Sequence, residues 1–208
     1  MKVSISRRFY RGCFRVARVL FGIFLWQKAI GKENIPDGAA IVCANHSSFI
    51  DPILMLLALG IDCPARVIAK AELFKVPILS AVIRKLGAIS VDRGTLDVAS
   101  TRATLGCLKN GEKVAIFPEG TRSAEDGMVA AKKGAIKLAE HANVPLLPVY
   151  IPRKKPKFRK FAIVIGKPYY IEQSEAKRSA EQYTVLADSM MSGIAALNPA
   201  AAPAGIKA

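Results

Sequence analysis

The stretch Ala40-Ile41-Val42-Cys43-Ala44-Asn45-His46-Ser47-Ser48-Phe49-Ile50-Asp51-Pro52 decides the fold. It begins with an uninterrupted apolar run of strand length. Pro52, tolerated in the first turn of a helix, opens a helix-like segment that reaches Leu59 and stops at Gly60. Strand, polar loop and helix make the repeating unit of an α/β domain, and in such domains ligands meet the chain where strands end. His46 stands at such an end.

Outward from this stretch the same alternation runs from the turn at Asn34-Ile35-Pro36-Asp37-Gly38 to about residue 172. Further strands are expected over Ala65 to Ala69, Ala88 to Asp92, Lys113 to Phe117, Leu146 to Ile151 and Ala162 to Ile165. Further helices are expected over Pro77 to Lys85, Leu96 to Lys109 and Ala130 to Ala142, and a last one from Ser174 to about Leu197. The chain of 208 residues is long enough for one such core. The expected architecture is a single α/β domain over residues 35–197, with a mostly buried mixed sheet flanked by helices. A helical segment precedes it at 1–34. The tail at 198–208 has too little apolar bulk to pack and is expected to be disordered.

From Arg7 to Leu20 a turn of about 100° per residue places Arg7, Arg11, Arg15 and Arg18 on one face and Phe9, Cys13, Val16 and Leu20 opposite. The helix runs into an uncharged stretch, Val19 to Trp26, far shorter than the roughly 20 residues that span a bilayer. An amphipathic helix lying in the membrane interface, with Trp26 near headgroup level, fits this order; a core-packed helix and a targeting segment are the alternatives.

Lys and Arg number 31 against 16 Asp and Glu, a formal charge of +15, yet the mean hydropathy is positive at +0.26. Charge alone admits any polyanion. Apolar and basic together favour a membrane surface carrying anionic lipids, and no RNA-recognition, zinc-finger or helix-turn-helix signature argues for nucleic acid. Cys13, Cys43, Cys63 and Cys107 are widely spaced and form no CxxC pair, so neither a zinc site nor a disulfide framework is indicated. Reduced thiols in a cytosol-facing protein follow.

Two polar segments carry chemistry. His46 and Asp51 are too far apart around a helix to share a face, so the loop between them has to turn for them to meet. Asp51 would then accept from one ring nitrogen and hold the tautomer. The other nitrogen would take a proton from a hydroxyl, a task suited to an imidazole, whose reference pKa is about 6.5. The plainer alternative makes Asp51 a helix N-cap and His46 a loop residue. The second segment is Phe117-Pro118-Glu119-Gly120-Thr121-Arg122-Ser123, after the strand that begins at Lys113. Gly120 lets amides turn towards an anion, Thr121 and Ser123 offer hydroxyls, and the fork of Arg122 matches a phosphate. It is neither a Walker loop nor a dinucleotide fingerprint.

Asn45-His46-x4-Asp51 followed by Phe117-Pro118-Glu119-Gly120-Thr121-Arg122 resembles the glycerolipid acyltransferase family, the PlsC-like enzymes. Gly87 to Arg93 and the proline-bounded Val144 to Val149 are similar to two further family blocks, so the resemblance covers about residues 36 to 170. Ser90 departs from the apolar residue expected there. The resemblance implies an O-acyltransferase moving a fatty acyl group from an acyl thioester, acyl-CoA or acyl carrier protein, to the sn-2 hydroxyl of 1-acylglycerol-3-phosphate, giving phosphatidic acid. Another lyso-lipid or glycerol 3-phosphate is the alternative acceptor, and a basic membrane- or nucleic-acid-binding protein is the non-enzymatic alternative. His46 and Asp51 would be the catalytic pair. Arg93, Glu119, Gly120, Thr121 and Arg122, with Lys70, would gather the acceptor's glycerol phosphate, and the proline-bounded block would shape the acyl side. No metal or other cofactor is implied, and the enzyme would work at the cytoplasmic face of the cell membrane as a peripheral or monotopic protein.

Outside these motifs, Arg153 to Lys160 holds six basic residues in eight. It reads either as a solvated loop or as a dock for anionic headgroups or an acidic carrier protein. His141 has no acidic partner at useful spacing and reads as a helix-end residue. Lys132 and Lys133 follow the phosphate segment and read as exposed, with the acceptor entrance as the alternative.

Overall fold

A computed structural model describes residues 5–92, 97–120, 122, 131–174 and 176–199. Arg93, Thr121, the expected helix starts at Leu96 and Ala130, and residues 200–208 of the expected tail lie outside these. The described chain is a single α/β domain. Its strands are β1 (Trp26–Ile30), β2 (Ala40–Ala44), β3 (Ala65–Lys70), β4 (Ile89–Val91), β5 (Lys113–Ile116), β6 (Leu146–Tyr150) and β7 (Lys160–Ile165). The helices are α1 (Arg7–Phe24), α2 (Asp51–Leu59), α3 (Pro77–Lys85), α4 (Val98–Lys109), α5 (Gly134–Ala142) and α6 (Ala180–Ala196).

The seven strands form one sheet in the order β1-β7-β6-β2-β5-β3-β4. From β6 through β4 every neighbour is parallel; β7 lies antiparallel to β6, and β1 parallel to β7. β2 is therefore central, and all five of its residues are buried, which explains why it reads as a continuous apolar run. Alternate side chains go to opposite faces. Ile41 and Cys43 join a core with Ile136 of α5 and Met190 and Ile194 of α6. Val42 and Ala44 join another with Leu54 and Met55 of α2. β5 and β6 flank β2, so the carboxyl ends of three parallel strands lie side by side.

Local signals set the boundaries. Asp97 caps α4 by accepting from the Ser100 amide, and Ser179 with Gln182 forms a reciprocal capping box that starts α6 later than the composition of 174–179 suggested.

The amino-terminal helix carries three stripes. Tyr10 and Phe14 are buried against Leu57 of α2, with Ala17 and Phe21 partly buried beside them. Burying a side chain such as Phe14 stabilises by about 2 kcal/mol. The four arginines are exposed on one flank. Val16, Val19, Leu20, Ile23 and Phe24 remain exposed on the other. The helix is thus both core-packed and amphipathic. It ends at Phe24, and Trp26 opens β1, an edge strand paired from Trp26↔Lys160 to Ile30↔Val164. The sheet accordingly recruits residues ahead of position 35. Alternating exposed and half-buried side chains, and a partner far along the chain, leave this strand little local signature. No helix among the described residues is long and apolar enough to cross a membrane.

Candidate active site

His46 follows β2 after the single residue Asn45, and the loop after it turns back as its spacing required. Its Nδ1 lies 3.1 Å from Oδ2 of Asp51. The same carboxylate oxygen accepts from the Ser47 and Ser48 amides, each at 2.6 Å. Asp51 is thus the first residue of α2 and not its cap; Ile50 takes the cap position, and the carboxylate faces backwards into the loop. Asp51 is fully buried. Burial pushes its carboxyl up, but hydrogen bonds from His46, Lys155 and the two serine amides overcome this and hold it below the ordinary carboxylate range. With Nδ1 turned to Asp51, the proton-accepting role falls to Nε2. The imidazole packs on Phe117, ring centroids 4.4 Å apart.

The segment after β5 reaches the same place. The Glu119 carboxylate is buried, and its Oε1 accepts from the His46 amide at 3.0 Å. Its Oε2 has no hydrogen-bond partner among the described residues. Gly120 adopts φ +69°, the left-handed region that suits glycine, and a side chain there would meet Lys132 Cε at 2.5 Å. The Lys132 stem is therefore laid against this turn, while the residue is exposed, as expected. Arg122 returns to the histidine loop: its Cζ lies 3.4 Å from the centroid of the exposed Phe49 ring.

The expected set is thus largely brought together: His46, Asp51, Glu119, Gly120 and Arg122 share the carboxyl edge at β2 and β5. Lys70 ends β3 on the same edge, exposed and beyond β5. Arg93 and Thr121 are outside the described residues. The proline-bounded block forms β6, whose neighbour is β2. A largely apolar cavity of about 270 Å³ adjoins the turn, between β3, β4, β5 and the helices α4 and α5, lined by Ile68, Ile116, Phe117 and Leu138 and, at the turn itself, by Gly120 and Lys132. Phe117 separates it from His46.

Three residues that the sequence analysis named without giving them a role in the site also belong here. Asn45 is buried and clamps the end of β6, donating to the Ile151 carbonyl at 2.7 Å and accepting from the Ile151 amide at 2.8 Å. Beyond that clamp the basic run divides: Lys155 reaches Asp51 Oδ1 at 2.7 Å, and Arg153 reaches Glu119 Oε1 at 3.5 Å. The available signal was position, since the run starts where a buried strand ends; its composition pointed the other way. His141 lies exposed in the last turn of α5, as expected.

Comparison with known proteins identifies the family. The profile of the acyltransferase family matches residues 28–152. The chain belongs to the acyltransferase family. Within that family it is 30% identical over 189 residues to the 1-acyl-sn-glycerol-3-phosphate acyltransferase of Bacillus subtilis, covering 87% of this chain and 92% of that one. It is 31% identical to the enzyme of the same name from Borreliella burgdorferi, over 67% of this chain and 55% of that protein. The crystal structure of the 1-acyl-sn-glycerophosphate acyltransferase PlsC from Thermotoga maritima superposes with a TM-score of 0.68 at 28% identity, covering 93% of this chain and 81% of the other. The acyltransferase match runs from within β1 past the end of β6, and so contains the histidine loop, the Glu119 turn and the Asn45 clamp.

Proposed function

We propose that this acyltransferase moves a fatty acyl group from an acyl thioester to the sn-2 hydroxyl of 1-acylglycerol-3-phosphate, forming phosphatidic acid. The observation that carries the reading is the His46–Asp51 contact of 3.1 Å on a strand-end loop that Arg122 covers. The names of the relatives point to the same acceptor.

His46 Nε2 takes the proton of the acceptor hydroxyl as its oxygen attacks the thioester carbonyl. The tetrahedral intermediate then expels the thiolate, and the imidazolium returns the proton to the sulfur. The Ser47 and Ser48 amides are committed to Asp51, so the donors that stabilise the oxyanion come from other groups around the carbonyl. Arg122 pairs with the acceptor phosphate, joined in this proposal by Arg93, Gly120, Thr121 and Lys70. Glu119, a hydrogen-bond acceptor, suits a glycerol hydroxyl rather than the phosphate; its Oε2, without a hydrogen-bond partner among the described residues, supports that assignment. The cavity beside Phe117 has the apolar lining an acyl chain needs.

The exposed apolar stripe of α1, its arginine flank and the exposed Trp26 and Phe158 support seating on an anionic membrane surface, as a peripheral or monotopic protein of the cytoplasmic face. The thioester is acyl-CoA or acyl carrier protein.

The test is acyl transfer from a labelled thioester to lysophosphatidic acid in mixed micelles, wild type beside His46→Ala. Labelled phosphatidic acid from wild type alone is expected. Equal product from the variant refutes the base, and product only from another acceptor, or free fatty acid alone, refutes the assigned reaction.

A further inference from the structure

We propose that Lys155, in the connection between β6 and β7, is a positioning residue for the His46–Asp51 pair, fixing the carboxylate and compensating its charge. The proposal rests on the reading of His46 as general base.

A lysine in a run of six basic residues in eight belongs by default in water. Lys155 departs from that default. Its side chain is only 7% exposed, and Nζ lies 2.7 Å from Asp51 Oδ1. The same ammonium donates to Ser47 Oγ at 2.8 Å and to the Arg153 carbonyl at 3.4 Å. Burying an ammonium and immobilising a long side chain are both costly, so the ion pair has to offset them. The backbone is built for the reach. Asn45, next to His46, grips Ile151 through two hydrogen bonds and sets where the β6–β7 connection leaves the sheet. Four residues further, Lys155 arrives over the same loop that Asn45 begins.

The contacts divide the labour on Asp51. Oδ2 faces His46 Nδ1 and the two serine amides, while Oδ1 faces Lys155. The carboxylate is held from both ends and cannot rotate without breaking one set. Charges of both signs surround the loop. The groups facing the histidine loop are Asp51 from α2, Glu119 from the turn after β5, Lys155 and Arg153 from the β6–β7 connection, and Arg122 over Phe49. Without Lys155 the buried Asp51 charge is left facing the imidazole with only amides to moderate it. That favours imidazolium, and a protonated base cannot accept a proton.

The experiment measures kcat/KM against pH for acyl transfer to lysophosphatidic acid, with wild type, Lys155→Met, Lys155→Gln and Lys155→Arg, and with the exposed neighbour Lys154→Met as control. Thermal melting and circular dichroism report folding for each. The acid limb of Lys155→Met is expected to move up by about one pH unit, so that activity on that limb falls about tenfold, with KM for the acceptor within about threefold of wild type. Lys155→Arg should restore the wild-type limb, and Lys154→Met should match wild type throughout. Should the methionine variant fail to fold, Lys155→Gln, which can still donate to Asp51 but lacks the charge, is expected to show the same limb shift. An unmoved limb in a folded neutral variant overturns the proposal, as does a loss of rate that Lys155→Arg does not repair. Activity surviving in His46→Ala would instead remove the underlying base assignment, and this distinguishes the two failures.

Discussion

Asp51→Asn isolates what the buried carboxylate does for the imidazole. In wild type one oxygen accepts from His46 Nδ1 at 3.1 Å and from two amides, and the other faces an ammonium at 2.7 Å. A carboxamide has only one acceptor. Whichever way it turns, its NH2 meets a donor: Lys155 on one side, or His46 and the serine amides on the other. The charge is lost as well. As His46 accepts a proton in the transition state, a carboxylate with its charge about 4 Å away stabilises the imidazolium by about 4 kcal/mol at an effective dielectric constant of about 20. Lys155 stays in both proteins and cancels from the comparison, so the loss corresponds to roughly a thousandfold in kcat. The acceptor's KM should change little, because the interaction strengthens in the transition state. Steady-state rates in mixed micelles, on protein shown to be folded, measure this; kcat within about fivefold of wild type would refute the argument. Stability supplies a second arm. The native Asp51 carboxyl lies below its ordinary range, so its contribution to stability is present above the unfolded pKa of about 3.9 and is lost as pH falls through the native value. The gap in urea stability between wild type and Asp51→Asn should therefore narrow as pH falls below the unfolded value of about 3.9. A gap independent of pH would contradict this.

Two further outcomes are expected. Arg122→Ala removes the guanidinium stacked on Phe49 and should raise KM for lysophosphatidic acid about tenfold with kcat nearly unchanged, and a fall in kcat alone would move Arg122 out of the acceptor site. Arg66→Met should destabilise by about 3 kcal/mol, because the buried guanidinium bonds Glu112 through both Nε at 2.5 Å and Nη2 at 2.9 Å and also reaches the Gly87 carbonyl, leaving Glu112 short of its partners; urea titration measures it, and a loss below about 1 kcal/mol would show the pair to be dispensable.

Most of what depends on neighbours along the chain was legible in advance, the capping box that delays α6 to Ala180 excepted. The strand at Ala40–Ala44, the turn back from His46 to Asp51 and the glycine turn at Gly120 are local events, set by apolar run length, residue spacing and backbone freedom. Each strand from β2 to β7 was placed within a residue or two for the same reason. The edge strand Trp26–Ile30 was not, because its pattern is weak and its partner lies more than a hundred residues away. Likewise the hydrophobic wheel of α1 separated arginines from apolar residues. Only packing on α2 chose Tyr10 and Phe14 for the core and left Leu20 and Ile23 at the surface.

The sequence by itself determined the α/β alternation and the identity of the histidine, the carboxylate and the glycine loop, since each is written within a few residues. Tertiary structure decided which strands stand beside β2. By seating β5 on one side and β6 on the other it delivered Glu119 and Lys155 to the same histidine loop. Composition describes a lysine's average surroundings, and only the sheet order places this one beside a buried carboxylate.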